Sequence, residues 1–231
     1  MARAQRLPAA ERRRRIIESA RAVFAASNYW KVSTADLAKA AGVSEPALYR
    51  HFPSKKELFL STLKEAAPRL LDIWHRIASE VDDPIEILWS IGLSYYDHLK
   101  SRSGPMRLLF QALLEADDPD IRAALRRNFA SFVRFFSEVL DEGKRRGVVR
   151  PEIDTELLAW RFLSTGLTLD VIRLLDFDQE MSRHKVEVWI RLFLDSLRPA
   201  ETARPLQAVV AAAVPYDHLP STLPSVAELP A

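Results

Sequence analysis

The chain has 231 residues, of which 48% are hydrophobic and 28% charged, and its formal net charge is +2. This length and composition allow one or two domains with a sizeable core, and the absence of cysteine excludes disulfides and thiolate metal sites. No apolar run approaches the ~18 residues of a transmembrane helix, and no apolar segment follows the Arg-rich N-terminus as in a secretory signal. We therefore expect a cytoplasmic protein without a membrane partner.

The charge is unevenly distributed along the chain. Residues 1–65 carry 13 Lys and Arg against 6 Asp and Glu, whereas residues 66–231 carry 20 against 25. Lys and Arg attract a phosphate backbone whatever its base sequence. The basic segment is therefore the first place to look for a nucleic-acid interface.

The first predicted helix begins after Pro8 and ends near Ser27. Its apolar stripe at helical spacing consists of Ile16, Ala20, Val23 and Phe24. Residues 12–15 are four consecutive arginines at its start, where cations oppose the helix dipole. They serve either a binding partner or only the solvated surface.

Two short helices joined by a tight turn are predicted next, over residues 33–51. Ser33 and Asp36 have the spacing of a capping box, and Gly42 stands where the chain must leave the first helix with positive φ. Ser44 is a good N-cap for the second helix, whose Leu48 faces inward. This spacing is typical of a helix-turn-helix, which places its second helix in the major groove of DNA. An ordinary helical hairpin is the alternative interpretation.

A further helix begins after Pro53. Ser54 and Glu57 have the S-x-x-E form of a capping box, and the helix is predicted to continue to about Glu80. Pro68 lies inside it, where proline kinks or breaks a helix. That bend is either a mechanical element or a packing adjustment.

Residues 11–62 resemble the N-terminal DNA-binding domain of TetR-type transcriptional regulators. The most specific part of the resemblance is residues 42–58, GVSEPALYRHFPSKKEL. Asn28 departs from the family, which usually has Gly there, but Asn tolerates the left-handed conformation that can end a helix. Pro46 also stands where Gly or a small polar residue is frequent.

The resemblance implies roles for individual residues in DNA binding. Pro46, Ala47 and Arg50 would approach base edges, with Arg50 to guanine as the most informative contact. Other side chains would mainly hold phosphates, which position the protein without reading the sequence. These phosphate contacts are Thr34, Ser44, Tyr49, His51 and Lys55.

The rest of the chain also reads as helical. Helices are predicted over about 84–100, 106–116, 119–145, 155–176 and 180–197, separated by Asp-Pro, Gly-Pro and Gly signals. The fold class is therefore all-α, with an N-terminal three-helix helix-turn-helix domain (9–54) and a C-terminal helical ligand-binding and dimerisation domain (55–198). Residues 199–231 form a Pro/Ala-rich tail that we expect to be poorly ordered.

The last two predicted helices are apolar on nearly every face. A surface helix needs only one apolar stripe, so these helices are either central in their own core or shared with a second copy of the chain. The family resemblance implies that they form a homodimer. The candidate interface residues are Leu158, Phe162, Leu169, Trp189 and Phe193.

Aromatic residues are frequent in the middle helices. At helical spacing they usually form plain core, but the space between helices of a bundle is also where small ligands bind. The resemblance implies an inducer site there, for a small hydrophobic ligand. The candidate wall residues are Trp74, Tyr95, His98, Phe110 and Phe132.

No catalytic constellation is visible in the sequence. The five histidines show no metal-binding spacing with carboxylates, and there is no Gly-rich phosphate loop. We expect no enzymatic activity, cofactor or metal. The predicted function is that of a repressor which leaves its DNA operator when a small molecule binds. The alternatives are a DNA-binding regulator without an inducer and a helical enzyme with a basic surface.

Overall fold

A computed structural model describes residues 8–99, 105–177 and 180–199. Within these ranges the chain forms nine helices and no strand, which confirms the predicted all-α class. No helix among them combines the length and apolar character needed to cross a membrane. The helices are α1 (Ala9–Ala26), α2 (Thr34–Ala40), α3 (Glu45–His51), α4 (Lys55–Glu80), α5 (Pro84–Leu99), α6 (Pro105–Leu113), α7 (Pro119–Arg145), α8 (Thr155–Leu174) and α9 (Arg183–Asp195).

The predicted caps set the starts of the helices. Ser33 and Asp36 form a reciprocal capping box at α2, and the side chains of Ser44 and Ser54 accept backbone N–H bonds at the starts of α3 and α4. Asp118 and Asp154 do the same for α7 and α8. Each cap satisfies an amide that a helix start would otherwise leave without a partner.

The end of α1 differs from the expectation at Asn28. This residue does not adopt the left-handed conformation, because Ser27 has already left the helix with extended backbone. Instead, the Asn28 side-chain oxygen accepts a hydrogen bond from the Trp30 amide at 2.8 Å, and its carbonyl accepts one from Lys31 at 3.0 Å. Asparagine is therefore useful here as a turn former through its side chain.

The first three helices pack around a shared apolar centre together with the start of α4. Phe24, Leu37, Leu48 and Phe59 are almost fully buried there. The ring of Phe24 meets that of Phe59 edge to face, with centroids 4.9 Å apart. Because α4 contributes to this centre and then continues into the C-terminal domain, it joins the two parts of the molecule.

The C-terminal domain is built around α4 and α7. The Trp74 ring lies 5.1 Å from that of Phe132 and 4.7 Å from that of Phe136, and the Asn128 amide donates to the Leu63 carbonyl at 2.9 Å. Pro68 lies exposed inside an uninterrupted α4. Helix α4 is thus anchored on both sides of its proline.

Several helix ends differ from the predicted ones. Helix α6 ends at Leu113, three residues early, because the amides of Glu115 and Ala116 turn back to the carbonyls of Ala112 and Leu113. Helix α9 is shorter at both ends than predicted. Of the predicted tail, residues 200–231 lie outside the described residues.

Candidate nucleic-acid interface and ligand cavity

The turn between α2 and α3 has the geometry that its sequence predicts. Gly42 has φ +64°, and the Gly42 and Val43 amides donate to the Lys39 and Ala38 carbonyls at 3.1 and 3.0 Å. These two bonds define a Schellman motif, which ends α2 and reverses the chain. The turn fixes the angle at which α3 leaves the domain.

Helix α3 buries one side and presents the other. Leu48 is buried in the domain core, whereas Ser44, Pro46, Tyr49 and Arg50 are exposed. Ala47 and His51 are half-buried beside them. The predicted base and phosphate contacts of this helix therefore lie outside the core, where a partner can reach them.

The start of α2 lies beside the start of α3. The Thr34 hydroxyl donates to a carboxylate oxygen of Glu45 at 2.8 Å. This bond joins the two helix starts whose backbone amides could face a phosphate. Thr34 is half-buried at this point, and its predicted phosphate contact remains a prediction.

Lys55 has a structural role that its sequence position did not reveal. Its ammonium donates to the Tyr29 and Val32 carbonyls at 3.0 and 3.1 Å and lies 4.4 Å from the centre of the Tyr29 ring. Lys55 therefore fastens the loop between α1 and α2 to the start of α4. One of its three hydrogens remains for the phosphate contact predicted for it.

Lys56 was missed by the sequence reasoning. Its ammonium lies 2.6 Å from Asp118 and 2.7 Å from Asp120, at the start of α7. The pair with Lys56, followed by hydrogen bonds from the amides of Ile121 and Asp120, lowers the pKa of the Asp118 carboxyl. The acidic run at 115–120 was a visible signal, but nothing local showed that it faces α4.

Trp30 is a second residue that the sequence reasoning missed. Its indole is 73% exposed, yet its ring packs edge to face on Tyr29 with centroids 5.4 Å apart. The Asn28 side chain fixes its backbone. A large aromatic held in solvent beside the DNA-binding candidates is available to a partner surface.

Three of the arginines at the start of α1 make contacts within the protein that the sequence did not reveal. The Arg13 guanidinium donates to the His51 carbonyl at 2.7 Å and lies 4.0 Å from the centre of the Phe52 ring. Arg14 and Arg15 pair with Glu11, which relieves their opposition to the helix dipole. Arg13 thus secures the end of α3 against α1.

A mostly apolar cavity lies within the C-terminal domain. Its volume is about 40 Å³, more than a single water molecule needs. The side chains and glycines that surround it are Trp74, Ile91, Gly92, Tyr95, Phe136, Phe162, Leu163, Thr165, Gly166, Leu169 and Ile190.

The predicted pocket residues fall in different places. Trp74 and Tyr95 line the cavity, Phe132 is fully buried behind Trp74, and Phe110 is half-buried away from the wall. The side chain of His98 lies outside the described residues. The structure therefore brings two of the five to one wall.

A buried polar pair connects α5 to α8 beside this cavity. The Tyr95 hydroxyl donates to a carboxylate oxygen of Asp170, and Asp170 is 7% exposed. Burial raises the pKa of Asp170 to about 6, against the opposing effects of Tyr95 and Arg107. Burial and the nearby carboxylate also raise the pKa of Tyr95, which keeps the phenol protonated as the donor.

The predicted dimer residues lie mostly inside the chain's own core. Leu158, Phe162, Leu169 and Phe193 are buried, and Trp189 is half-buried. Other apolar side chains of α8 point outward, so this helix still has an exposed apolar face. The apolar side chains of this face are Leu157, Trp160, Val171 and Leu174 on the helix, followed by Leu175 just after it.

No group of three His, Asp or Glu side chains that could hold a metal ion occurs in the described part of the chain. The two candidate sites are the exposed side of α3 in a basic helical domain and an apolar cavity in the helical domain that follows.

This combination defines a helix-turn-helix protein with a separate helical C-terminal domain. Residues 16–62 match the family described as bacterial regulatory proteins of the tetR family. The N-terminal domain of this chain therefore matches the TetR family, as the resemblance of residues 11–62 predicted.

Curated relatives and a solved structure extend the comparison. The chain is 32% identical over 109 residues to the HTH-type transcriptional activator FasR of Mycolicibacterium smegmatis, which covers 47% of this chain and 50% of FasR. It is 31% identical over 132 residues to the nucleoid occlusion factor SlmA of Aliivibrio fischeri, which covers 56% of this chain and 66% of SlmA. A transcriptional regulator from Saccharomonospora viridis, solved in complex with choline, has the same fold with TM-score 0.69 and 23% identity, over 80% of this chain and 96% of that one.

Proposed function

We propose that the protein is a sequence-specific DNA-binding transcriptional regulator that acts as a homodimeric repressor and leaves its operator when a small apolar molecule binds. The observation that carries the proposal is the exposed outer side of α3, held by the Schellman turn at Gly42 within a basic domain. A site of action on chromosomal DNA places the protein in the cytoplasm.

In the proposed complex, α3 enters the major groove. Arg50 is exposed near the end of α3 and can reach a base edge, where bidentate pairing with guanine discriminates by ~1–3 kcal/mol. Pro46 and Ala47 lie near its start and offer apolar contacts. The remaining candidates, Thr34, Ser44, Tyr49, His51 and Lys55, would hold phosphates and set the register.

The test is selection of preferred operators from random duplexes by the purified protein, followed by footprinting on DNA upstream of its gene. We expect an enriched palindrome whose half-sites lie ~34–36 Å apart. Arg50→Ala should bind the same pool with a flatter ranking, because a base contact is lost while phosphate contacts remain. An unchanged ranking would contradict the base-contact role, and no enrichment by the wild type would contradict the function. Enrichment would also separate this proposal from a helical enzyme with a basic surface.

Release by a small molecule is supported by the cavity beside Tyr95. A completely filled core would instead favour a regulator without an inducer. A ligand shifts the DNA-bound population only if it binds the free conformation more tightly. The cavity has aromatic and aliphatic walls, so the proposed ligand is small and mainly apolar. The choline bound to the S. viridis regulator shows that a protein of this fold holds a small molecule.

Thermal-shift screening of small apolar compounds tests the cavity, and Gly166→Ala provides the matched control. A Cβ at Gly166 would lie 3.5 Å from the Tyr95 ring, an ordinary contact, so the variant should fold while its methyl group occupies part of the space. We expect compounds that raise the melting temperature of the wild type to release it from DNA. The same compounds should have little effect on the variant, and equal effects on both would place their binding elsewhere.

A further inference from the structure

Two adjacent lysines stand at the start of α4, and both ammonium groups are engaged. Lys55 donates to two neutral carbonyls. Lys56 contacts two carboxylates, those of Asp118 at 2.6 Å and Asp120 at 2.7 Å. The two surroundings differ in net charge. Lys55 and its neutral partners carry +1, whereas Lys56 and its two carboxylates carry −1.

The carboxylates belong to an acidic turn, residues 115–120, which joins α6 to α7 and includes the first two residues of α7. The turn contains Glu115, Asp117, Asp118 and Asp120 and no basic residue. It lies close to the DNA-binding domain, near Tyr29 in the loop between α1 and α2. Burial is the main cause that raises the pKa of Tyr29, and the carboxylates of Glu115 and Asp118 raise it further. A negative segment therefore lies against a domain that is otherwise basic.

The acidic turn is also fixed to the C-terminal domain. Asp118 caps α7 by accepting hydrogen bonds from the Asp120 and Ile121 amides at 2.9 and 3.3 Å. Helix α7 continues from there to Phe136 in the cavity wall. A displacement of α7 would carry the turn with it, toward Lys56 or away from it.

We propose that the acidic turn competes with DNA phosphate for Lys56 and thereby lowers the DNA affinity of the N-terminal domain. This inference rests on the proposed DNA-binding function. A phosphate that approaches the start of α4 meets a lysine with two carboxylates, a net charge of −1. When the turn withdraws, the same place offers a free ammonium and one more phosphate contact.

The experiment measures how DNA affinity depends on salt, because each phosphate neutralised by a cation adds about 0.9 to the slope of log K against log salt. Full-length protein is titrated into a random-sequence duplex of about three helical turns by fluorescence anisotropy, from ~50 to ~200 mM salt. The variants are Asp118→Asn with Asp120→Asn, Lys56→Gln, and all three together. Asparagine caps helices as well as aspartate does, so the start of α7 should be retained.

We expect Lys56→Gln alone to change the slope little, because the lysine is already occupied. Removal of the two carboxylates should tighten binding and steepen the slope by about 0.9 for each bound protomer. The same removal in the Lys56→Gln background should leave the slope unchanged. The coupling between the two substitutions measures the competition directly.

Three results would overturn the inference. Equal steepening with and without Lys56 would show only a general effect of negative charge, and no steepening would show that Lys56 does not reach phosphate. Weaker binding after removal of the carboxylates would show that the pair holds α4 in its binding position. If the wild type fails to bind any duplex, the proposed function fails as well, whereas wild-type binding without coupling refutes only the competition.

Discussion

At the scale of single residues, Asp170 is a buried carboxyl whose surroundings disfavour its ionised form. A carboxylate loses its hydration when it is buried, so the neutral form is favoured and the pKa rises. One hydrogen bond from Tyr95 compensates only in part. Asp170 is therefore ionised near neutral pH at a cost in stability.

We predict that Asp170→Asn changes the pH dependence of folding. Because the folded pKa of Asp170, about 6, is above its ordinary value of 3.8, the folded state binds the extra proton, and wild-type stability falls as pH rises from about 4 to about 6. Asparagine also accepts the Tyr95 hydrogen bond but does not ionise. Relative to the wild type, the variant should gain roughly 2–3 kcal/mol between pH ~4 and ~7, at 1.36 kcal/mol per pKa unit.

Urea unfolding followed by circular dichroism at each pH measures that difference. The difference between the two curves cancels the contributions of the other carboxylates to the pH dependence. Asp118 is one of them, and its lowered pKa acts in the opposite direction. Parallel curves for the two proteins would show that burial does not raise the pKa of Asp170.

At the scale of the helices, local signals predicted what local interactions determine. The capping box at Ser33 and the turn at Gly42 depend on residues within a few positions, and both were correctly read. Asn28 was misread because Ser27 ends α1 first. The contacts of Lys55 and Lys56 were not predictable, because their partners lie about 25 and more than 60 residues away.

The turn between α2 and α3 offers a test at this scale. A Cβ at Gly42 would meet nothing within 4 Å, so any cost of substitution comes from the backbone, whose φ is +64°. We predict that Gly42→Ala lowers the free energy of unfolding by roughly 1–2 kcal/mol. Gly42→Asn should cost clearly less, since asparagine tolerates this conformation.

Urea denaturation of the two variants beside the wild type gives the comparison. Equal losses for alanine and asparagine would mean that backbone conformation is not the determinant at this turn. DNA affinity should fall in the same order, because the turn sets the direction of α3.

At the scale of the whole molecule, the described chain leaves an apolar surface uncovered on α8. Leu157 and Trp160 lie three residues apart, as do Val171 and Leu174 three turns further on, and all four share one side of the helix. The apolar residues of α8 therefore divide into a core side and an outer side. Periodicity alone could not say which side each residue occupies, because apolar residues occur on nearly every face of the helix.

The outer side of α8 is the expected homodimer interface. A two-fold axis through it would pair α8 and α9 of two copies as a four-helix bundle. It would also set the separation of the two α3 helices, which must be ~34–36 Å to reach successive major grooves. Dimerisation and operator recognition are thus one geometric requirement.

We predict that Leu157→Glu with Val171→Glu converts the protein to monomers while the fold is retained, because both side chains are exposed and glutamate is a good helix former. Sedimentation velocity should show the change in mass. The matched control is Leu114→Glu, just after α6, because this leucine is 72% exposed, comparable with 66% for Leu157. The control should stay dimeric, and dissociation of both proteins would show a general effect of charge.

The monomeric variant should keep its affinity for a single half-site and lose the additional affinity that a palindrome provides, since only a dimer engages both half-sites at once. A variant that remains dimeric would place the two-fold contact on another surface.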